Sequence, residues 1–386
     1  MTGSRTMLTA VRTSTHMCVR ICAPEGAKRP VRIALLVDTS DSMNYGRLDA
    51  VKKTLVAARS LFCETDTITL VTFGTTATIV IPTLQLDATG MDHFYQAVAA
   101  VETDGMTNMS AGLEALAALR RDYDALVILT DGCVNQGITS TEGLRSMALG
   151  LVGTLPVHTL GYGADHNREL LRDLAMRSRG TYTYVSSDEM LPLVMGGVIE
   201  GLRSQVLTGA VLTAPGWVCQ EFDADESRYR VGDIVSDRDY CVVFSSTDPP
   251  DGVISLTARE GTWELDRVPI SDCLELREQV LRCRVAQAIV ATANLMERGY
   301  ETHITVKALI KEIDAMTDIA QRPLVLRMRA QLEEIVTCPA TNDTMARMSS
   351  GGANLATQRG AGFSSPGQLD TSIRLSQEYA AGKVLN

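Results

Sequence analysis

The sequence predicts an α/β protein: a doubly wound, mostly parallel sheet, inserted in or next to a β-sandwich and followed by a C-terminal helical region. Three observations predict it. Between about Val31 and Val185, short apolar runs alternate with amphipathic stretches of helical length, as in a parallel sheet whose neighbours are joined by crossover helices. From Val206 to Val268 the runs shorten and are separated by turn signals such as Asp248-Pro249-Pro250-Asp251-Gly252. From Ser271 the apolar positions advance by three and four. The 386 residues leave room for two or three domains. The expected division is strands in 1–29 pairing with a later β domain, the α/β domain in 30–205, the β-sandwich in 206–270, helices in 271–338 and a flexible tail in 339–386.

Taken in order, residues 1–6 carry no pattern, Met7 to Cys22 alternates as one or two strands, and Ala23-Pro24-Glu25-Gly26 is a turn. These early strands need a partner sheet, and the later β segments are their natural companions. Ile33 to Val37 is a continuous apolar run, the mark of a strand buried on both faces. Leu48, Val51, Leu55, Ala58 and Phe62 form a helical stripe. Thr67 to Phe73 is a strand and Thr78 to Ile81 a short one. Helices follow at Gly90 to Val101 and Ser110 to Arg120, then a second central strand at Ala125 to Thr130. Gly143 to Leu155 and Asn167 to Ser178 read as helices, Val157 to Gly161 and Thr181 to Val185 as strands, and Asp188 to Gln205 as a helix interrupted near Pro192. Later, Ser271-Asp272 caps a long helix running to Arg298, and two further stripes are separated by Pro323. From Pro339 the chain is rich in Gly, Ser, Thr and Gln, with little apolar periodicity.

Net charge is −10, without basic runs or a basic helix, which argues against nucleic acid or an anionic membrane as the main partner. The nine cysteines lack the paired spacing of a disulfide framework or a zinc site. Neither a secretory leader nor a membrane-spanning window is visible, so the expectation is a reduced, intracellular, cytoplasmic protein without membrane insertion.

The chemistry concentrates where the first central strand ends. Asp38-Thr39-Ser40-Asp41-Ser42 places an acid and two hydroxyls at alternate positions directly beyond a buried strand. Hard divalent cations suit such oxygens, and magnesium prefers one or two carboxylates with neutral oxygens to a ring of acids. Gly105-Met106-Thr107-Asn108 and Leu129-Thr130-Asp131-Gly132 offer the oxygens to complete a shell. Taken alone, Asp38-x-Ser40-x-Ser42 is more often helix capping than metal binding; Thr107 and Asp131 reverse that reading.

These three segments, in order and spacing, resemble the metal-ion-dependent adhesion site of a von Willebrand factor type A (vWA) domain, and the resemblance covers roughly Val31 to Gln205. One position departs: residue 41, often glycine in that family, is Asp41. The wider layout is similar to intracellular proteins of eukaryotes and large DNA viruses, in which a type A domain is followed by a β and helical module. The resemblance implies a Rossmann-like sheet and a bound Mg2+ (or Mn2+ or Ca2+). It implies that Ser40, Ser42 and Thr107 coordinate through hydroxyls, with Asp38 and Asp131 acting partly through waters. It further implies a non-enzymatic module whose open metal position takes an Asp or Glu side chain of a protein partner, with the Thr107 loop as the moving part.

Two other readings compete: an assembly scaffold with a vestigial metal site, and a Mg-dependent phosphoester hydrolase. The second lacks a nucleophile, since Asp38 is not followed two residues later by another acid. His158 falls within an expected strand and reads as a core or edge residue, His93, His166 and His303 lack partners of ligand spacing, Cys133 reads as packing, and Gly161-Tyr162-Gly163 lacks the lysine of a phosphate loop.

Overall fold

The computed structural model describes residues 7–23, 26–153, 155–221, 224–300, 303–339 and 341–358, with Ile373, Gln377 and Ala380. The chain forms two compact units. One combines the described residues up to Gly26 with those from Val206 to Gln358; the other is Ala27–Gln205. What was expected of residues 1–6, and of Pro24 and Glu25 in the turn, lies outside the described residues.

The first strands are β1 (Met7–Arg12) and β2 (His16–Ala23), an antiparallel pair. The second unit then runs β3 (Arg32–Asp38), α1 (Arg47–Ala57), β4 (Thr67–Phe73), β5 (Ala77–Gln85), α2 (Ala88–Ala99), α3 (Met109–Ala118) and β6 (Ala125–Thr130). It continues with α4 (Thr141–Val152), β7 (Val157–Tyr162), α5 (Arg168–Ser178), β8 (Tyr182–Val185) and α6 (Met190–Arg203). Its six strands lie in the order β5-β4-β3-β6-β7-β8. Only β5 runs antiparallel to its neighbour. Every residue of β6 and β7 is buried; β6 accordingly carries a continuous apolar run from Ala125 to Leu129 rather than alternation, whereas β7 buries His158 and Thr159 with their side chains bonded to Thr181 Oγ1 and the Leu171 carbonyl. On one face, Ile33, Leu35 and Val37 pack with Leu48, Val51 and Leu55 of α1 and Leu191 and Met195 of α6. On the other, α3 approaches closely at Gly112, where a Cβ would come within 2.8 Å of Leu36.

Two local expectations change here. The strand expected at Thr78 to Ile81 extends over Ala77–Gln85, because register shifts at Ile68, Leu70 and Val71 absorb its irregular pattern. The helix expected to break near Pro192 is continuous. Pro192 falls in its first turn, where a backbone N–H has no intrahelical acceptor to lose.

The first unit resumes with β9 (Gln205–Thr213), β10 (Val218–Cys219), β11 (Arg228–Val235), β12 (Arg238–Ser245), β13 (Ile254–Ala258) and β14 (Gly261–Leu265). Two four-stranded sheets result, β1-β2-β12-β10 and β11-β9-β13-β14. Met17, Val19, Ile21, Val242 and Phe244 of the first sheet share one core with Leu207, Leu212, Ile254 and Leu256 of the second. This is a sandwich. The outer face of the first sheet carries Cys18 and Cys241, packed with Leu276 of α7 (Leu274–Glu297). All nine cysteines are free thiols. The N-cap of α7 is Cys273, whose sulfur accepts from the Leu276 N–H, and not the expected Ser271-Asp272; Asp272 instead pairs with Arg277. Helices α8 (Ile304–Ala315) and α9 (Pro323–Thr337) follow.

The stretch expected to be a flexible tail from residue 339 contains a further helix, α10 (Asn342–Thr357). Thr341 caps it, accepting from the Thr344 N–H at 3.2 Å. Its glycines serve packing: a Cβ on Gly352 would lie 2.8 Å from Ile289 of α7, so the missing side chain lets the helices meet. At its end, Gln358 bonds both the N–H and C=O of Cys241, covering backbone that the two-residue strand β10 does not reach. The tail expected beyond residue 358 lies outside the described residues, apart from three isolated positions.

Candidate functional site

Between β3 and β6 the strand order reverses: β3 continues to β4 on one side and β6 to β7 on the other. Crossovers therefore leave in opposite directions, and a crevice opens beyond the carboxyl ends of these two strands. Asp38 is the last residue of β3, and Asp131 follows the last residue of β6.

After Asp38 the chain turns sharply. The Asp38 carboxylate accepts the Ser40 N–H at 2.9 Å through one oxygen and the Thr130 hydroxyl through the other. Residues Asp41–Met43 form a single 3-10 turn, anchored by the fully buried Met43. Asp41, the departure noted above, exchanges hydrogen bonds with Gly105: its N–H donates to the Gly105 carbonyl at 2.8 Å and its carboxylate accepts the Gly105 N–H at 3.2 Å. It therefore knits the Ser42 loop to the Thr107 loop. Thr107 is held on both sides, its N–H donating to the Asn135 side chain at 2.8 Å and its carbonyl accepting from Asn135 and Gln136. The loop expected to be the moving part is thus bonded to residues 135–136.

The expected side chains come together in a chain of polar contacts. Ser42 Oγ donates to Asp131 Oδ1 at 2.6 Å, and Ser40 and Ser42 hydroxyls are 3.0 Å apart. Since Ser42 spends its single proton on Asp131, Ser40 is the donor between the two serines. Thr107 lies beside this chain: a Cβ built on Gly132 would sit 3.4 Å from Ser42 Oγ and 3.6 Å from Thr107 Oγ1. Asp38, Ser40, Thr107 and Asp131 are buried, and Ser42 is the exposed member. Burial pushes the Asp38 carboxyl up to about 6 against the hydrogen bonds from Thr130 and Ser40. Sealed from solvent with both oxygens engaged, Asp38 cannot reach a phosphoryl group as a nucleophile.

Sequence reading missed Arg47. Its guanidinium pairs with Asp131 Oδ2, approaches the Ser42 carbonyl at 3.3 Å and lies 5.9 Å from the Tyr162 ring centroid. A signal existed: Arg47 opens α1, where the helix dipole disfavours a cation. The remaining suspects are structural. His166 is buried between the Gly163 carbonyl and the Tyr182 hydroxyl, and Gly161 lacks the Cβ that would strike its ring. His158 meets Thr181 Oγ1 at 2.9 Å. The Cys133 thiol contacts the Asp165 carbonyl, and burial raises its pKa. Among the described residues, no group of three or more His, Cys, Asp or Glu could hold a metal ion, and no helix is long and apolar enough to cross a membrane.

Fold and crevice together define a protein carrying a vWA-fold domain, a non-catalytic interaction fold: residues 31–184 match the family described as the von Willebrand factor type A domain. Among relatives, inter-alpha-trypsin inhibitor heavy chain H3 of Homo sapiens is 25% identical over 211 residues, covering 51% of this chain and 24% of that protein. The Rattus norvegicus heavy chain H3 is 26% identical over 221 residues, with the same coverage. The chain thus spans about a quarter of the length of these relatives. The solved structure of a von Willebrand factor type A protein from Catenulispora acidiphila superposes with a TM-score of 0.68 at 15% identity, covering 94% of this chain and 99% of that one. The ArnB paralog VWA2 from Sulfolobus acidocaldarius gives 0.60 at 14%, covering 92% and 99%. The shared fold therefore includes the sandwich and helices as well as the α/β domain.

Proposed function

We propose that the protein is a non-enzymatic interaction scaffold that docks a protein partner at the rim formed by Asp38, Ser40, Ser42, Thr107 and Asp131. One observation carries this reading: the rim's carboxylates are satisfied from within the chain, Asp38 by Ser40 and Thr130 and Asp131 by Ser42 and Arg47. The loops are thus held in place by their own hydrogen bonds, as a docking edge requires.

A second reading, docking through Mg2+ (or Mn2+ or Ca2+), is supported by the donor set. Three hydroxyls and two carboxylates suit a small hard cation. The 3.0 Å between Ser40 and Ser42 oxygens matches adjacent corners of an octahedron with bonds of about 2.1 Å. Gly132 keeps the space beside Ser42 and Thr107 free of a methyl group. A divalent ion bound there would offer a Lewis-acidic position to an Asp or Glu of the partner. The serine and threonine hydroxyls would be the near ligands, and Asp38 and Asp131 would orient them.

Affinity capture on the immobilised full chain, in Mg2+ or in chelator, tests both readings against a Ser40→Ala/Asp131→Ala variant. Partners kept in chelator but lost on the variant support the scaffold. Partners lost in chelator support the ion-dependent form. A captured set unchanged by the variant overturns both.

A further inference from the structure

We propose that Arg47 is a built-in counter-ion that competes with a divalent cation for the rim, so that ion uptake and arginine release are coupled. The proposal rests on the ion-dependent reading above and adds its regulation. The Asp131 side chain is fully buried, and a carboxylate removed from water requires a compensating charge or donors. Arg47 supplies that charge. Its seat is specific: Asp131 Oδ2, the Ser42 carbonyl, the face of Tyr162, and room left by Gly163, where a Cβ would come within 3.3 Å of the guanidinium. The seat holds a cation in the first turn of α1 against the helix dipole.

The other oxygen of the same carboxylate accepts from Ser42, one of the hydroxyls a metal would use. An ion drawing on Ser42 and Asp131 therefore meets a fixed positive charge already spent on Asp131, and each weakens the other's hold. Arg47 is 37% exposed along its side chain, so its long stem can carry the head into solvent while an incoming ion keeps Asp131 compensated. By linkage, whatever Arg47 costs the ion, the ion costs the Arg47 pair.

Calorimetric titration of the full chain with Mg2+ tests this, using the wild type, Arg47→Met, Arg47→Lys and Thr107→Ala. Losing a charge-assisted hydrogen bond to the carboxylate should tighten Mg2+ binding by about tenfold to a hundredfold in Arg47→Met. Arg47→Lys, which keeps the charge without the fork, should gain only part of that, and Thr107→Ala should bind more weakly than the wild type. In the wild type, the Arg47 side-chain N–H resonance should shift as Mg2+ is added, a readout that needs no variant to fold. Equal affinities for wild type and Arg47→Met, or an Arg47 resonance unmoved at saturation, overturn the competition and leave the ion-dependent reading standing. An Arg47→Lys variant indistinguishable from wild type overturns the role of the pair. Absence of binding by every form overturns the ion-dependent reading and this proposal with it.

Discussion

At Gly74 there is no room for a side chain: a Cβ would lie 2.0 Å from the Asp104 carbonyl oxygen, which accepts the Thr75 N–H at 2.9 Å. The Gly74 carbonyl in turn accepts the Asn108 N–H, next to Thr107. Gly74→Ala must therefore push the 104–108 loop outward, at a cost of about 2–4 kcal/mol. A lowered Tm with amide shifts concentrated at Thr107 and Asn135 is the expected result. His166 gives a pH signature. Burial lowers its pKa to about 4, against the hydrogen bond that Nδ1–H donates to the Gly163 carbonyl, and Nε2 of the neutral ring accepts from the Tyr182 hydroxyl. An unfolded histidine takes its proton near about pH 6.5. The unfolded chain thus binds the extra proton first, and stability is whole above about pH 6.5 and falls as pH drops toward about 4, by up to about 3 kcal/mol. Urea unfolding of wild type and His166→Gln at pH 7.5 and pH 5 should show the variant losing less stability between them. The D-x-S-x-S spacing was legible because it is local. Arg47, Gly74 and Asn135 were not, because their partners are set by how loops from different strands meet.

At the level of elements, β3 and β6 were legible because a strand buried on both faces reads as a near-continuous apolar run. Helix α10 was not: apart from Met348 and Leu355 its buried residues are small or polar, among them Ala346, Ser349, Gly352 and Ala353, and two large apolar side chains make a weak stripe. It forms because α7 offers a surface that small residues fit, which is a tertiary cause overriding weak propensity. A buried ion pair fastens α7 to the sandwich unit. Arg282 and Glu221 are both buried, joined at 3.1 Å through one nitrogen, with Glu221 also accepting the Val243 N–H and Arg282 donating to the Leu355 carbonyl of α10. Glu221→Ala leaves a buried guanidinium uncompensated and should cost about 3–5 kcal/mol in urea unfolding. Glu221→Leu combined with Arg282→Met should recover most of that loss. A double variant as unstable as the single one would show that packing, not charge, governs the site.

For the molecule as a whole, the decisive fact is that β2 lies between β1 and β12, so the sandwich unit is assembled from both sides of the α/β segment. Residues 206–358 alone lack an internal strand of one sheet and should remain unfolded by circular dichroism and proteolysis. Within that unit Gly26 meets Val206, a Cβ on the glycine falling 2.5 Å from the valine side chain. Joining these residues through a short Gly/Ser loop should therefore yield a cooperatively melting protein without the α/β segment. Residues 27–205 should fold alone as well, with a single thermal transition.

The α/β segment starts and finishes against itself: the Arg29 N–H donates to the Arg203 carbonyl at 3.1 Å, and the Arg29 guanidinium reaches the Leu202 carbonyl at 3.2 Å. A cassette whose two ends are buttoned together can be lifted out or exchanged while its host keeps every strand in register.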